Sequence, residues 1–143
     1  MSNRLKYIHF KLSDQDYAVD VKDVLSIEKI LPITRVPGTP DFIEGVTNLR
    51  GVITPVIHLG TKLGFSKGVL TDATRIIILN NDQYSIGMIV DEAKDVFEVS
   101  EENIEKSTSV VGSIEEPFIK GVTKMDDKII MVMDTLHLLG IRG

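Results

Sequence analysis

The sequence contains no cysteine, and neither its amino terminus nor any later stretch carries a long apolar run. The missing cysteine excludes a disulfide framework, thiolate metal ligands and a thiol nucleophile. Such a composition fits a reducing compartment. Secretion signals and membrane-spanning helices both need a long apolar core. We therefore expect a cytoplasmic protein that does not insert directly into a membrane.

An excess of positive charge is also missing. Lysine and arginine number 16 against 21 aspartates and glutamates, which gives a net charge of −5 at pH 7. Non-specific binding to DNA or RNA depends on positive charge that neutralises phosphates. We therefore expect no nucleic-acid partner.

No group of residues has the spacing of a catalytic, metal or cofactor site. The three histidines, His9, His58 and His137, share no metal-ligand spacing. The segment 45–51 lacks the spacing and the lysine of a phosphate-binding loop. The adjacent carboxylates at 101–102 are more typical of solvated charge than of acid–base catalysis. We expect a protein that is not an enzyme and needs no cofactor or metal.

What the sequence does have is an internal repeat. The stretch 42–64 returns at 118–140, 76 positions later and without a gap, and nine of the 23 aligned residues are identical. Apolar strands match by chance at isoleucine and valine. They do not readily match at two glycine pairs, Gly45/Gly121 and Gly64/Gly140. The chain therefore has two halves of one design, with approximate bounds 5–65 and 74–141.

Short runs of strand-like pattern recur in both halves. Apolar and polar residues alternate in Leu5–Leu12 and resume in Tyr17–Val21, which predicts a hairpin. Thr74–Leu79 and Tyr84–Val90 repeat this arrangement in the second half. About five short strands per half, tight turns and no long crossover helix predict antiparallel pairing.

The predicted fold is all-β with short helices. We expect two pseudo-symmetric, five-stranded, SH3-like β-barrels packed side by side, because closure hides the edges of small sheets. Strands can be exchanged between the halves. The alternative is a single larger β-sandwich.

The bend between the predicted strands Phe42–Leu49 and Val52–Ile57 distinguishes the two halves. It reads Asn-Leu-Arg-Gly at 48–51, whereas the matched bend at 124–127 reads Lys-Met-Asp-Asp. Arg50 could make a forked contact with a carboxylate on a partner, or a structural pair with Glu28 or Glu44.

Pro55 within the second strand predicts an edge or bulge position.

Two further pairs of matched positions bear on function and stability. Val24 and Val96 follow the two predicted hairpins at matched places; such residues are more often core, but they could line a crease between the barrels. Asp134 begins a short predicted helix, and His58 holds the matched place, where we expect it to cap less well than aspartate.

One long motif combines Val36-Pro37-Gly38-Thr39-Pro40 with the following FIEGVTNLRGVITPVI. It is flanked by the runs KYIHFKL, YAVDVKDVLSIEKI and TRIIILNNDQYSIGMIVDEAKDV. Together they resemble the signature of the CheW-type chemotaxis coupling proteins. The resemblance extends from Leu5 to Gly140, which implies a single CheW-like domain over 1–143.

The resemblance implies a non-enzymatic adaptor at membrane-associated receptor arrays. Such an adaptor couples the cytoplasmic tips of chemoreceptors to the histidine kinase CheA. In this family the barrels dock edge-on against the kinase's regulatory domain, which has the same fold, and the helical receptor tip lies in the crease between barrels. The receptor-facing residues that the resemblance implies are Arg50, Gly45, Val24 and Val96.

Ser26 departs from the family, in which many members carry glutamate at this place. The nearest acid is Glu28, which lies two residues on and therefore on the same strand face. A relocated ion pair would join Glu28 to Arg50. The alternative function is a small-molecule-sensing or kinase-regulatory module of the same fold in a related two-component pathway.

Overall fold

The computed structural model describes residues 4–65, 68–80, 85–106 and 118–135, and it is mainly β. The strands are β1 (Arg4–Leu12), β2 (Gln15–Asp20), β3 (Val24–Glu28), β4 (Ile43–Leu49), β5 (Val52–His58), β6 (Arg75–Asn80), β7 (Ser85–Val90), β8 (Glu92–Ser100), β9 (Glu105–Lys106), β10 (Ile119–Met125) and β11 (Lys128–Met133). The described residues also form one α-helix, α1 (Leu59–Lys62), and two short 3-10 helices at Val21–Asp23 and Glu101–Asn103. None of the helices in these ranges is long and apolar enough to cross a membrane.

The chain forms two compact units. The first combines Met1–Asp23 with Lys94–Gly143, and the second is Val24–Ala93. These units do not coincide with the sequence halves 5–65 and 74–141. The predicted helix at 134–139 lies largely outside the described residues.

The sheet of the first unit has the strand order β8-β1-β2-β11-β10-β9. β1 and β2 form an antiparallel hairpin whose two-residue turn, Ser13-Asp14, has positive φ at both residues. β2 then pairs in parallel with β11. One buried cluster of this unit's core contains Tyr7, Ala18, Val99, Ile130 and Val132.

The second unit repeats this arrangement with the strand order β3-β6-β7-β5-β4. β6 and β7 pair antiparallel, and β7 pairs in parallel with β5. Its own core consists of Leu49, Val56, Ile76, Ile78 and Ile89. Each sheet thus has its own core, so the alternative of one large sandwich is wrong and the predicted fold class is confirmed.

The two sequence repeats exchange their hairpins. β1–β2 from the first repeat lies between β8 and β11 of the second, and β6–β7 from the second lies between β3 and β5 of the first. The compact units are therefore mixtures of the two repeats. This exchange explains why their bounds differ from the repeat bounds.

The residues that are identical in the two repeats make the same contacts. Thr47 Oγ1 donates a hydrogen bond to the carbonyl of Pro32 at 2.6 Å, and Thr123 Oγ1 donates to that of Asn103 at 3.0 Å. Gly45 and Gly121 each lie at a bulge, where an added Cβ would come within 3 Å of a neighbouring backbone oxygen. These identical residues thus lie where another segment of the chain packs closely against the hairpin.

Of the two positions expected for Pro55, edge or bulge, the edge is wrong, whereas a bulge of β4 between Ile43 and Gly45 lies one pair away from Pro55. β5 is an interior strand between β7 and β4. Val46 stands opposite Pro55, and its own N–H and C=O bond to Thr34 on the far side of β4. The missing N–H of Pro55 is therefore not needed by β4, and pairing with β7 begins one residue later, at Val56.

Candidate functional site

The turn between β4 and β5 holds Arg50 in a conformation that is uncommon for a residue with a side chain. Its φ is 54°, and that of the following Gly51 is 86°. The amide of Gly51 donates to Asn48 Oδ1 at 2.8 Å, which fixes the turn. Positive φ at both central residues is typical of a tight hairpin turn, and the matched turn residue Asp126 has nearly the same φ, 56°.

Arg50 contacts Glu28, which lies at the end of β3. The distance between Arg50 Nη2 and Glu28 Oε2 is 3.4 Å, with exposed side-chain fractions of 68% and 21%. A single exposed contact of this length contributes roughly 0.2–1 kcal/mol to stability. Most of the guanidinium faces solvent, where it can meet a carboxylate of a partner.

Exposed aliphatic side chains flank this charge. Val52 and Ile53 directly follow the turn, with exposed fractions of 58% and 67%. A guanidinium beside solvent-exposed aliphatic residues is typical of the centre of a protein–protein interface. The sequence pattern does not reveal these two residues, because in β5 the apolar Val52 and Ile53 are exposed whereas the polar Thr54 is buried. We call Glu28, Arg50, Val52 and Ile53 the Arg50 surface.

Ser26 lies two residues before Glu28 on the half-buried face of β3. Its Oγ is buried and has no hydrogen-bond partner among the described residues. A serine cannot reach as far as glutamate, so Glu28 is the carboxylate of β3 that meets Arg50. Glu44, the other acid considered in the sequence analysis, is half-buried in β4.

Gly45 is buried, and the chain's own backbone occupies the space that its missing side chain leaves. A Cβ at this residue would lie 2.0 Å from the carbonyl oxygen of Thr34, and φ is +148°. Thr34 and Val46 exchange two backbone hydrogen bonds of 2.8 and 2.9 Å. The close approach that this glycine permits is therefore made by Thr34 of the same chain, and a receptor-facing role of Gly45 stays a prediction.

Val24 and Val96 lie in different environments. Val24 is half-buried in β3, where it pairs with Leu79 of β6 in the second unit. Val96 lies in β8 of the first unit and is 56% exposed. Val96 is thus the more accessible of the two, and a receptor-facing role stays a prediction for both.

The described histidines have structural roles. His58 caps α1, because its Nδ1 accepts from the amide of Thr61 at 3.2 Å. His58 therefore does cap α1, and its being a weaker cap than aspartate stays a prediction. His9 Nε2 contacts Asp16 Oδ1 at 2.6 Å within the first hairpin. His137 lies outside the described residues, within which no cluster of three or more histidine, aspartate or glutamate side chains could hold a metal ion.

A separate open cleft of about 330 Å³ lies in the second unit beside the loop 35–41. Its charged lining consists of Arg35, Asp41 and Glu44, and Thr61 and Phe65 border it. The loop is stiff, because Thr39 Oγ1 donates to the carbonyl of Val36 at 2.9 Å between two prolines. Nothing in this lining joins it to the Arg50 surface.

Comparison with known proteins places the chain in a family. The model of the CheW-like domain matches residues 6–142. The chain is 41% identical to "Chemotaxis protein CheW" of Bacillus subtilis over 94% of its own length and 86% of the relative's. It is 33% identical to the protein of that name from Klebsiella aerogenes, covering 94% and 81% of the two chains.

A solved structure agrees with this assignment. The scaffolding protein TtCheW from Thermoanaerobacter tengcongensis superposes with a TM-score of 0.84 at 37% identity, covering 94% of this chain and 90% of that one. Family model, sequence relatives and fold thus agree over most of the chain, and the chain belongs to the CheW-like domain family.

Proposed function

We propose that this chain is a non-enzymatic coupling protein that links the cytoplasmic tips of chemoreceptors to the regulatory domain of the histidine kinase CheA. Membership of the CheW-like family supports the role in chemotaxis. The observation that carries the proposal for the receptor is the Arg50 surface, where an arginine whose side chain is 68% exposed is followed along the chain by exposed Val52 and Ile53. The protein would work in the cytoplasm, at membrane-associated receptor arrays.

Arg50 supplies a directional contact in this proposal. Its planar guanidinium can bind a carboxylate of the receptor's helical hairpin through two parallel N–H donors. Val52 and Ile53 would exclude water around that contact, which strengthens it. Gly45 acts indirectly, since it lets Thr34 hold β4 in place. Val24 and Val96 are proposed as further receptor-facing residues.

Glu28 is proposed to hold the guanidinium in its binding direction. Its carboxylate is only 21% exposed, so it is less mobile than the arginine that it meets. Without it, Arg50 would retain its charge but sample more orientations, and each bound complex would then cost more side-chain entropy. Glu28→Gln should therefore weaken receptor binding less than a change of Arg50.

The test is a titration of the purified chain against two ligands, a receptor cytoplasmic fragment and the regulatory domain of CheA. Arg50→Ala should weaken receptor binding by about tenfold or more, because central arginines are frequent hot spots. Binding to the kinase domain should stay within about twofold, as it uses another surface in this proposal.

Arg35→Ala is the matched control. It removes the same charge from an exposed arginine of the same unit, at the cleft rather than at the Arg50 surface. Arg35→Ala should change neither affinity. Equal losses of receptor binding from both variants would show that only net charge matters and would contradict the proposal.

A further inference from the structure

The hairpin β1–β2 fills a slot between two distant strands. We call the gap between β8 and β11 the slot. β1 lies next to β8, and β2 pairs in parallel with β11 through Asp16↔Ile130, Tyr17↔Met131 and Ala18↔Val132. Both outer edges of the hairpin therefore pair with strands that come more than 70 residues later in the chain.

Side chains of the hairpin match the slot. Tyr7 packs on Phe97 with ring centroids 6.1 Å apart, and Arg4 Nε lies 3.9 Å from Glu98 Oε1. Lys120 Nζ stands 5.9 Å from the centre of the Tyr7 ring. Tyr7 is also 1% exposed within the core of the first unit. The slot thus recognises this hairpin through apolar, aromatic and charged contacts together.

The hairpin is cohesive by itself. His9 contacts Asp16 at 2.6 Å, and the rings of Phe10 and Tyr17 stack at 5.7 Å. The short 3-10 helix Val21–Asp23 connects the hairpin to β3 of the second unit, and we call this segment the hinge.

We infer that the hairpin β1–β2 of one copy of this chain inserts into the slot of a second copy, and the reverse, to form a closed swapped dimer. Every contact between hairpin and slot forms equally in monomer and dimer, so only the hinge and the cost of association distinguish them. The two sequence repeats already exchange hairpins in this manner within one chain. Each dimer would present two Arg50 surfaces.

The first experiment uses the absence of native cysteine. Arg4 and Glu98 meet across β1 and β8 with exposed fractions of 61% and 50%, so each tolerates replacement by cysteine. Chains with Arg4→Cys and chains with Glu98→Cys are mixed, unfolded, refolded together at high concentration and then treated with a flexible bis-maleimide. We expect a cross-link between the two kinds of chain, because the swapped dimer brings residues 4 and 98 of different chains within reach of one reagent.

Arg4→Cys mixed with Lys29→Cys is the matched control, since Lys29 is exposed and lies outside the slot. The Arg4/Glu98 mixture should yield at least about tenfold more cross-linked heterodimer than the control mixture. Equal yields would mean random collision and would overturn the inference, whatever the total amount of dimer.

The second experiment changes the hinge and measures mass by sedimentation. In the unaltered chain, the ratio of dimer to monomer after refolding should rise about tenfold for each tenfold rise in concentration as long as monomer predominates. Deletion of Val21–Asp23 should increase the dimer fraction, because a short hinge prevents closure within one chain. Insertion of Gly-Ser-Gly at the same place should reduce it. A monomer at every concentration from the unaltered chain overturns the inference, even if the deletion variant fails to fold.

Discussion

Gly45 lies so close to Thr34 that a Cβ at residue 45 would be 2.0 Å from the carbonyl oxygen of Thr34. The same pair of segments is joined by two backbone hydrogen bonds between Thr34 and Val46. This contact closes the outer edge of β4 in the unit that carries the Arg50 surface. The segment that contains Thr34 can therefore pair with β4 only because residue 45 has no side chain.

Gly45→Ala should lower the free energy of unfolding by about 3 kcal/mol or more, because overpacking and backbone strain add. Chemical denaturation measures this. Gly51→Ala is the matched control: its φ is also positive, at +86°, but no atom lies within 4 Å of the added Cβ. The control should lose only about 1 kcal/mol. Similar losses from both variants would show that the clash with Thr34 is relieved by a small shift.

Arg50→Asn separates stability from binding. Asparagine tolerates positive φ better than arginine does, and the lost ion pair contributes only roughly 0.2–1 kcal/mol. Thermal melting should therefore show stability within about 1 kcal/mol of the unaltered protein. Receptor binding should nevertheless fall by about tenfold, as for Arg50→Ala. A strongly destabilised Arg50→Asn variant would indicate that Arg50 is structural.

Much of the fold could be predicted from the sequence, because the pattern of a hairpin's strands and turn is contained in a few neighbouring residues. The alternation in β1 and the bend at Arg50-Gly51 specify their own conformations within a few residues. The exchange of hairpins could not be predicted in the same way. The two repeats offer each hairpin two similar slots, and local pattern contains no information on which slot is filled.

Part of the candidate site could be predicted, namely the residue whose side-chain chemistry differs between the two repeats. The contacts between segments that are distant in the sequence could not be predicted. The sequence distinguishes Arg50 because the matched residue in the second repeat is Asp126. The contact of Gly45 with Thr34 joins β4 to an irregular loop, whose path proline and glycine leave open. The exposure of Val52 and Ile53 depends on the same placement.

His58→Ala tests the cap of α1. The change removes the imidazole that accepts from the amide of Thr61, and loss of a cap costs about 1 kcal/mol. Urea denaturation should show this loss, increased by the small cavity that a buried ring leaves. His58→Asn keeps an acceptor at the cap and should recover a large part of it. If the two variants are equally stable, the hydrogen bond to Thr61 contributes nothing.

Tyr7 should make the stability of the protein depend on pH in the alkaline range. Burial raises the pKa of Tyr7 to about 12, and the negative charges of Asp20, Glu101 and Asp23 act in the same direction. In the unfolded chain the pKa is about 10. Because the folded pKa is the higher one, the stabilisation is fully present below pH 10 and is lost as the pH rises towards 12.

The loss amounts to about 2.5 kcal/mol across that window, since one pKa unit corresponds to about 1.4 kcal/mol. Tyr7→Phe removes only the hydroxyl and keeps the ring between Phe97 and the core. Urea denaturation of both proteins from pH 8 to pH 12 isolates the contribution of Tyr7, because lysines and other tyrosines titrate equally in both. Above pH 10 the unfolding free energy of the unaltered protein should fall steadily relative to that of Tyr7→Phe. Parallel curves would show that the hydroxyl of Tyr7 ionises as easily in the folded protein as in the unfolded chain.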